Sequence, residues 1–397
     1  MIRLSERLMA MEESATIAMS RKSRELKAEG KDVISLSLGE PDFNTPDFIK
    51  QAAIEGMDEN YTKYTPVPGY DDLLEAISRK FKRDNNLDYA KNQIVVSTGA
   101  KQSIANVIMA LINPGDEVII PAPYWVSYVE IVKVAGGIPV IVSADINADF
   151  KITGAQLEKS ITDKTKLMMF STPCNPTGSV YSREELKNIA DTLAKHPSIA
   201  AISDEIYEHI NFVGKHESLA QFDNVKDQVI TINGLSKAWA MTGWRVGYIG
   251  APAHIAAACS KVQGQFTSGT NSIAQRAAIA ALNQEVSFLN DMKAAFVGRR
   301  KLVLEALSNM NGVKVNEPEG AFYFFPDISY FFGKSYGNYT INSASDLSLY
   351  LLEEALVALV TGEAFGDPNC IRISYATSEE VLTEAMNRIA NALAKLA

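Results

Sequence analysis

Cysteine and histidine are scarce in this chain, with three of the first and four of the second in 397 residues. Cys174, Cys259 and Cys370 lie far apart and are odd in number, which excludes a disulfide framework and points to a reducing, cytoplasmic setting. No CxxC or HxxxH pair occurs, so no metal site is expected. Positive charge is also short. Thirty-eight basic residues against 47 acidic ones leave a net charge of -9, which argues against a nucleic-acid partner and against a polybasic membrane anchor. No uncharged run reaches the length of a membrane span, and the start carries Arg3, Glu6 and Arg7 where a signal peptide needs apolar residues. Internal repeats and low-complexity tracts are absent, which sets aside solenoids and long disordered segments. These exclusions leave a soluble enzyme of small molecules.

What is present is a large apolar fraction, 47%, in a chain long enough to predict two domains. Short apolar runs start at Ile94, Glu117, Ile138, Leu167, Ala200, Val229 and Val246. Several are separated by helical patterns such as Leu73, Leu74, Ile77 and Phe81. Alternation of this kind predicts an α/β fold, a mostly parallel seven-stranded sheet covered by helices, with ligands outside the carboxyl ends of the strands. From about residue 296 the pattern changes to a charged helix around Val297–Lys301, a strand-like run Gly320–Phe325 and an amphipathic helix around Val381–Leu396. The expected division is an arm and part of a smaller domain over 1–45, a large site-bearing domain over 46–295, and the rest of the smaller α+β domain over 296–397.

The segment Ser236-Lys237-Ala238-Trp239-Ala240-Met241-Thr242-Gly243-Trp244-Arg245 places one lysine in nearly uncharged surroundings and follows it with an arginine. A desolvated lysine can attack a carbonyl and form a Schiff base, and the planar fork of arginine suits a phosphate. Pyridoxal 5′-phosphate has both groups. Four other segments supply the remaining contacts such a cofactor needs. Thr98-Gly99-Ala100-Lys101 follows a strand and opens a helix, so its free N–H groups suit the phosphate. Asn175 stands between two prolines in a restricted loop, and Tyr207 lies one turn beyond Asp204 at a strand end. Asp204 would keep the pyridine nitrogen protonated, Asn175 and Tyr207 would bond the phenolic oxygen, and Trp125 or Tyr124 would face the ring.

These motifs, with Gly39-Glu40-Pro41-Asp42-Phe43, Pro318-Glu319-Gly320-Ala321-Phe322-Tyr323 and Arg372-Ile373-Ser374-Tyr375-Ala376, run in order along nearly the whole chain. In them the chain resembles the class I aminotransferases of fold type I, nearest the bacterial aspartate aminotransferase branch. The resemblance implies a homodimer with active sites at the interface and Tyr64 reaching the neighbouring subunit's phosphate. It also implies Arg372 on the substrate α-carboxylate, Gly39 in the segment that closes over the substrate, and Trp125 and Asn175 touching both cofactor and substrate. Thr16 and Lys101 match positions that recognise a distal carboxylate in this branch. Lys237 would be the catalytic base in a ping-pong exchange between L-aspartate and 2-oxoglutarate.

Three departures accompany the resemblance. An approximate alignment puts Gln263 where animal-type relatives hold the distal carboxylate with an arginine from the other subunit. Gly234 stands where some relatives place a phosphate-binding serine, for which Ser236 is the available substitute. Relatives that accept prephenate tend to carry a basic residue near position 12, where Glu12 and Glu13 stand here, so prephenate is expected to be a poor acceptor. The alternatives are an aminotransferase for aromatic or neutral amino acids or prephenate, and a β-lyase with the same cofactor. A regulator borrowing this fold would need a basic DNA-binding module, which residues 1–40 are too short and too balanced in charge to form.

Overall fold

The seven apolar runs pair into a single sheet in the computed structural model, which describes residues 2–9, 11 and 13–397. Its strands are β1 (Ile94–Ser97), β2 (Glu117–Ala122), β3 (Ile138–Ser143), β4 (Thr165–Ser171), β5 (Ala200–Asp204), β6 (Val229–Gly234) and β7 (Gly247–Gly250). The spatial order is β1-β7-β6-β5-β4-β2-β3. β7 runs antiparallel to both its neighbours, and every other pair is parallel.

Side chains alternate across each strand, and the core divides accordingly. Val95, Val118, Ile120, Leu167 and Met169 pack on one face with Ile104, Val107 and Ile108 of the helix Ala100–Leu111. Ile94, Val96, Ile119, Met168 and Phe170 pack on the other, against Leu73, Leu74 and Ile77 of Asp71–Lys80 and Leu186 and Ile189 of Arg183–Leu193. Burial on both faces is why the runs are continuously apolar.

Two expected elements differ in extent. Phe81 fits the helical spacing, yet the α-helix stops at Lys80 and passes into a π-helical turn, Phe81–Asn85, closed by Asn86 at φ 55. In Gly320–Phe325 only Tyr323–Phe324 is strand. Ala321 there adopts a left-handed φ of 55, which interrupts the extended backbone.

Tyr323–Phe324 joins Ile371–Ser374 and Val360–Thr361 in a small antiparallel sheet, and Ile34–Ser35 pairs in parallel with Val357–Ala358. The helices Asn290–Ser308, Ala344–Glu354 and Glu379–Leu393 belong to the same part of the chain. Residues 295 and 296 lie inside Asn290–Ser308. Among the described residues no helix is long and apolar enough to cross a membrane.

Candidate active site

The strand directions decide which residues can meet. β1, β2, β4, β5 and β6 point the same way, so the segments leaving their carboxyl ends converge. β7 runs oppositely, so Arg245, two residues before it, lies at that same edge. A cavity of about 380 Å³ opens there. From the sheet come Ala100 and Lys101 after β1, Trp125 after β2, Asn175 after β4, Asp204 and Tyr207 from β5 onward, and Ser236 and Lys237 after β6. The small sheet contributes Arg372, and the N-terminal part contributes Thr16 and Gly39. Gly99 and Tyr64 do not line the cavity. Gly99 caps the helix Ala100–Leu111 at φ 82, and any Cβ there would collide with the Arg245 guanidinium. Tyr64 is 99% exposed.

Lys237 sits in a turn, and its ammonium donates to the carbonyl oxygen of Gly39 at 2.6 Å. Burial, with the positive charge of Arg372 second, lowers its pKa to about 8. Arg245 and Ala240 hold left-handed backbone, φ 58 and 50, a conformation costly for residues with a Cβ. The Arg245 guanidinium donates to the carbonyls of Thr242 at 2.9 Å and Thr98 at 3.4 Å, which fixes it across the start of the helix.

Asp204 is buried and accepts from the Tyr128 hydroxyl at 2.7 Å. Burial raises its pKa to about 6 against the opposing effect of that bond. The hydroxyls of Tyr207 and Tyr323 are 2.8 Å apart, and burial lifts both phenols above their ordinary range. Arg372, 2% exposed, donates to Asn175 Oδ1 at 2.9 Å and to the Ser37 carbonyl at 2.6 Å. Its Nε has no hydrogen-bond partner and no carboxylate pairs with it among the described residues. Lys101 Nζ lies 4.9 Å from the centroid of the Trp125 ring, and burial and then Arg245 lower its pKa.

Two positions from the alignment have other roles. Gln263 is fully buried and does not line the cavity. Its amide donates to the carbonyls of Val67 and Val96, each at 2.9 Å, and accepts from Asn106 at 2.9 Å, so it ties a helix to the sheet. At Gly234 a Cβ would lie 2.8 Å from the Val246 carbonyl, which leaves no room for a serine. Glu12 lies outside the described residues, while the exposed Glu13 accepts from Arg21 at 2.6 Å.

A lysine of lowered pKa, an unpaired buried arginine and a buried aspartate share one cavity, and similarity to known proteins adds to this. The family model for aminotransferase class I and II matches residues 31–389. The chain belongs to that family. It is 48% identical to a probable aspartate/prephenate aminotransferase of Rhizobium leguminosarum bv. phaseoli, over 97% of each chain. It is 47% identical to the Petunia hybrida bifunctional aspartate aminotransferase and glutamate/aspartate-prephenate aminotransferase, over 99% of this chain and 83% of that one. Among solved structures, the aspartate aminotransferase of Rhizobium meliloti superposes with a TM-score of 0.97 at 41% identity, covering 100% of both chains. That of Thermus thermophilus with maleate gives 0.93 at 39%, covering 99% and 100%. The α/β sheet of this aminotransferase-family chain is therefore the fold-type I arrangement.

Several residues of this family member's cavity have no role assigned from the sequence, although Glu40, Thr242 and Tyr323 stand inside the motifs that carry the resemblance. Tyr128, Ser171, Glu40, Thr242 and Tyr323 all line it. Tyr128 follows Trp125 by three positions at the start of the helix Ser127–Val134. Glu40 accepts a hydrogen bond from the Thr242 hydroxyl, linking the N-terminal segment to the Lys237 turn. A Cβ at Gly39 would strike the Tyr323 hydroxyl, which accounts for glycine there.

Proposed function

We propose that the chain is a pyridoxal 5′-phosphate-dependent aminotransferase that moves an amino group from L-aspartate or a related amino acid to 2-oxoglutarate by a ping-pong cycle. The observation that carries this reading is Arg372, a buried guanidinium without a carboxylate partner, lining the same cavity as Lys237. The cavity suits an anionic occupant, because Lys101, Lys237, Arg245 and Arg372 face only Glu40 and Asp204. Buried polar atoms without partners, Ser171 Oγ and Thr16 Oγ1 besides Arg372 Nε, belong to residues on its wall. These residues fit the cofactor and its substrate.

In this reading Arg245, the N–H group at Ala100, and Ser236 hold the phosphate, with Tyr64 of a second copy completing the site in a homodimer; the Gly99 N–H, expected to join them, is given to the Ser97 carbonyl at 2.7 Å. Asp204 holds the ring nitrogen, Asn175 and Tyr207 the phenolic oxygen, Lys237 the carbonyl carbon, and Trp125 covers the ring. When bound, the cofactor supplies an electron-withdrawing ring beside the substrate Cα. Arg372 then orients the α-carboxylate with two parallel donors. Lys237 moves the proton from substrate Cα, a role favoured by its lowered pKa of about 8, which leaves roughly one amine in ten neutral at pH 7. The Gly39 carbonyl, accepting from Lys237 at 2.6 Å, holds that amine at the cavity wall. The same groups serve both half-reactions in turn.

L-Aspartate is favoured as donor because Lys101 and Thr16 line the same cavity as Lys237 and Arg372, and because relatives bear aspartate aminotransferase names. Relatives whose names add prephenate favour it as a second acceptor, against the expectation drawn from Glu12 and Glu13. The division into a large domain over 46–295 and a smaller one from 1–45 and 296–397 belongs to the same proposal, with the cavity between them. So does a cytoplasmic setting, in keeping with three unpaired cysteines. A panel of amino donors assayed with 2-oxoglutarate, followed by prephenate as acceptor, tests the reading. Aspartate should lead the panel, and release of ammonia without amino transfer would instead identify a lyase.

A further inference from the structure

Asp204 has one strong hydrogen-bond donor, and it is a phenol. The role of that phenol depends on the proposed function, in which Asp204 meets a pyridine nitrogen. The carboxylate is 4% exposed and forms no ion pair among the described residues; its Oδ1 accepts only a long bond from the Ile206 N–H, at 3.3 Å. Its Oδ2 accepts from Tyr128 at 2.7 Å. Tyr128 is fully buried, enters from the helix after β2, and is held edge-on by the Trp125 ring at 5.5 Å and 89°. Ser171 pairs in register with Asp204 from β4, yet its buried hydroxyl makes no hydrogen bond. Tyr128 is thus the one side-chain donor to this carboxylate among the described residues.

We propose that Tyr128 is a positioning residue that keeps a shared proton on the cofactor's ring nitrogen, by stabilising Asp204 as the carboxylate and fixing the plane in which its oxygens lie. One proton lies between two bases here, Asp204 and the ring nitrogen. Burial and the nearby charge of Glu205 favour the protonated carboxyl, while Tyr128, the Ile206 N–H and the charge of Lys237 favour the anion. With these donors in place Asp204 still lies at about 6, so losing the Tyr128 bond shifts the balance further toward the protonated carboxyl. A proton that moved to Asp204 would leave the ring neutral and a weaker electron acceptor. Hydrogen bonds to charged groups are strong enough to shift such a balance about tenfold or more.

The test uses enzyme loaded with pyridoxal 5′-phosphate carrying ¹⁵N in the ring, whose resonance reports where the proton rests. Three forms are compared at neutral pH: wild type, Tyr128→Phe, and protein with 3-fluorotyrosine at position 128, a near-isosteric and stronger donor. The Phe change should move the resonance toward the unprotonated position and lower kcat about tenfold or more, with KM for the amino donor within about twofold. Fluorotyrosine should move the resonance the other way. A resonance unmoved by the Phe change, or moved in the same direction by both variants, overturns the role of Tyr128. Should Tyr128→Phe fail to fold, the fluorotyrosine form still decides. Failure of all three to take up the cofactor would overturn the cofactor reading, and this inference with it.

Discussion

Arg372 donates from Nη1 to Asn175 Oδ1 at 2.9 Å, joining residues 197 positions apart in the buried wall of the cavity. The proposed grip on the substrate carboxylate therefore touches a proposed cofactor ligand. Asn175→Asp would put a carboxylate of nearly the same shape against a guanidinium that has none, and would occupy the charge meant for substrate. Steady-state kinetics should show KM for the amino donor raised about tenfold or more. An unchanged KM would mean that Arg372 does not meet the substrate.

The two arginines separate by the anion each serves. Arg372→Lys should weaken substrate use while the cofactor stays bound, because a point charge cannot reproduce two parallel donors. Arg245→Lys should loosen the cofactor, since Arg245 spans the helix start from its contacts with Thr98 and Thr242. Equilibrium dialysis of the cofactor and KM for aspartate, measured on both variants, distinguish them. Cofactor loss on changing Arg372, with retention on changing Arg245, would reverse the assignment.

The sheet and much of the cavity are legible in the sequence because they follow from local pattern. Each apolar run is one strand, and Asp204 and Lys237 lie at or just beyond strand ends where the chain must turn at the ligand-binding edge. Arg372 and Gly39 are different. They reach the cavity through a small sheet and a two-residue strand whose pairing no local periodicity reveals, and only the family resemblance points to them. Tyr128 escapes a reading of local pattern because its bond to Asp204 depends on strand order, with β4 lying between β2 and β5. Gln263 is misplaced by alignment because alignment without packing cannot tell a buried helix-to-sheet clamp from a residue facing substrate.

Lys237 sets a pH dependence. With its pKa near 8, the neutral amine grows about tenfold per unit as pH rises toward that value and then levels off. The rate at which cofactor-free enzyme captures pyridoxal 5′-phosphate covalently, followed by absorbance after rapid mixing, should follow that curve. Borohydride reduction and peptide mapping should place the cofactor on Lys237, and Lys237→Ala should still bind it but without covalent capture. Attachment at Lys101 or another lysine would sink the mechanism.

The distal carboxylate of the substrate must find a cation, and Gln263 lies too deep to matter. Lys101 is the candidate at the cavity, its ammonium resting 4.9 Å from the Trp125 centroid with no carboxylate bonded to it among the described residues. Arg245, close enough to lower the Lys101 pKa, also makes an added negative charge welcome there. The competing role for Lys101 is in phosphate binding, since it is the second residue of the helix that begins at Ala100. Substrate comparison separates the two. If Lys101 reads the second carboxylate, Lys101→Ala should cut kcat/KM for aspartate about tenfold or more relative to alanine, the effect of losing one charge-assisted contact of roughly 1.5–3 kcal/mol. Thr16→Ala should act in the same direction but more weakly, because its buried hydroxyl brings a donor without charge. Equal losses with aspartate and alanine would assign Lys101 to the cofactor and leave the preference for acidic donors without a physical basis.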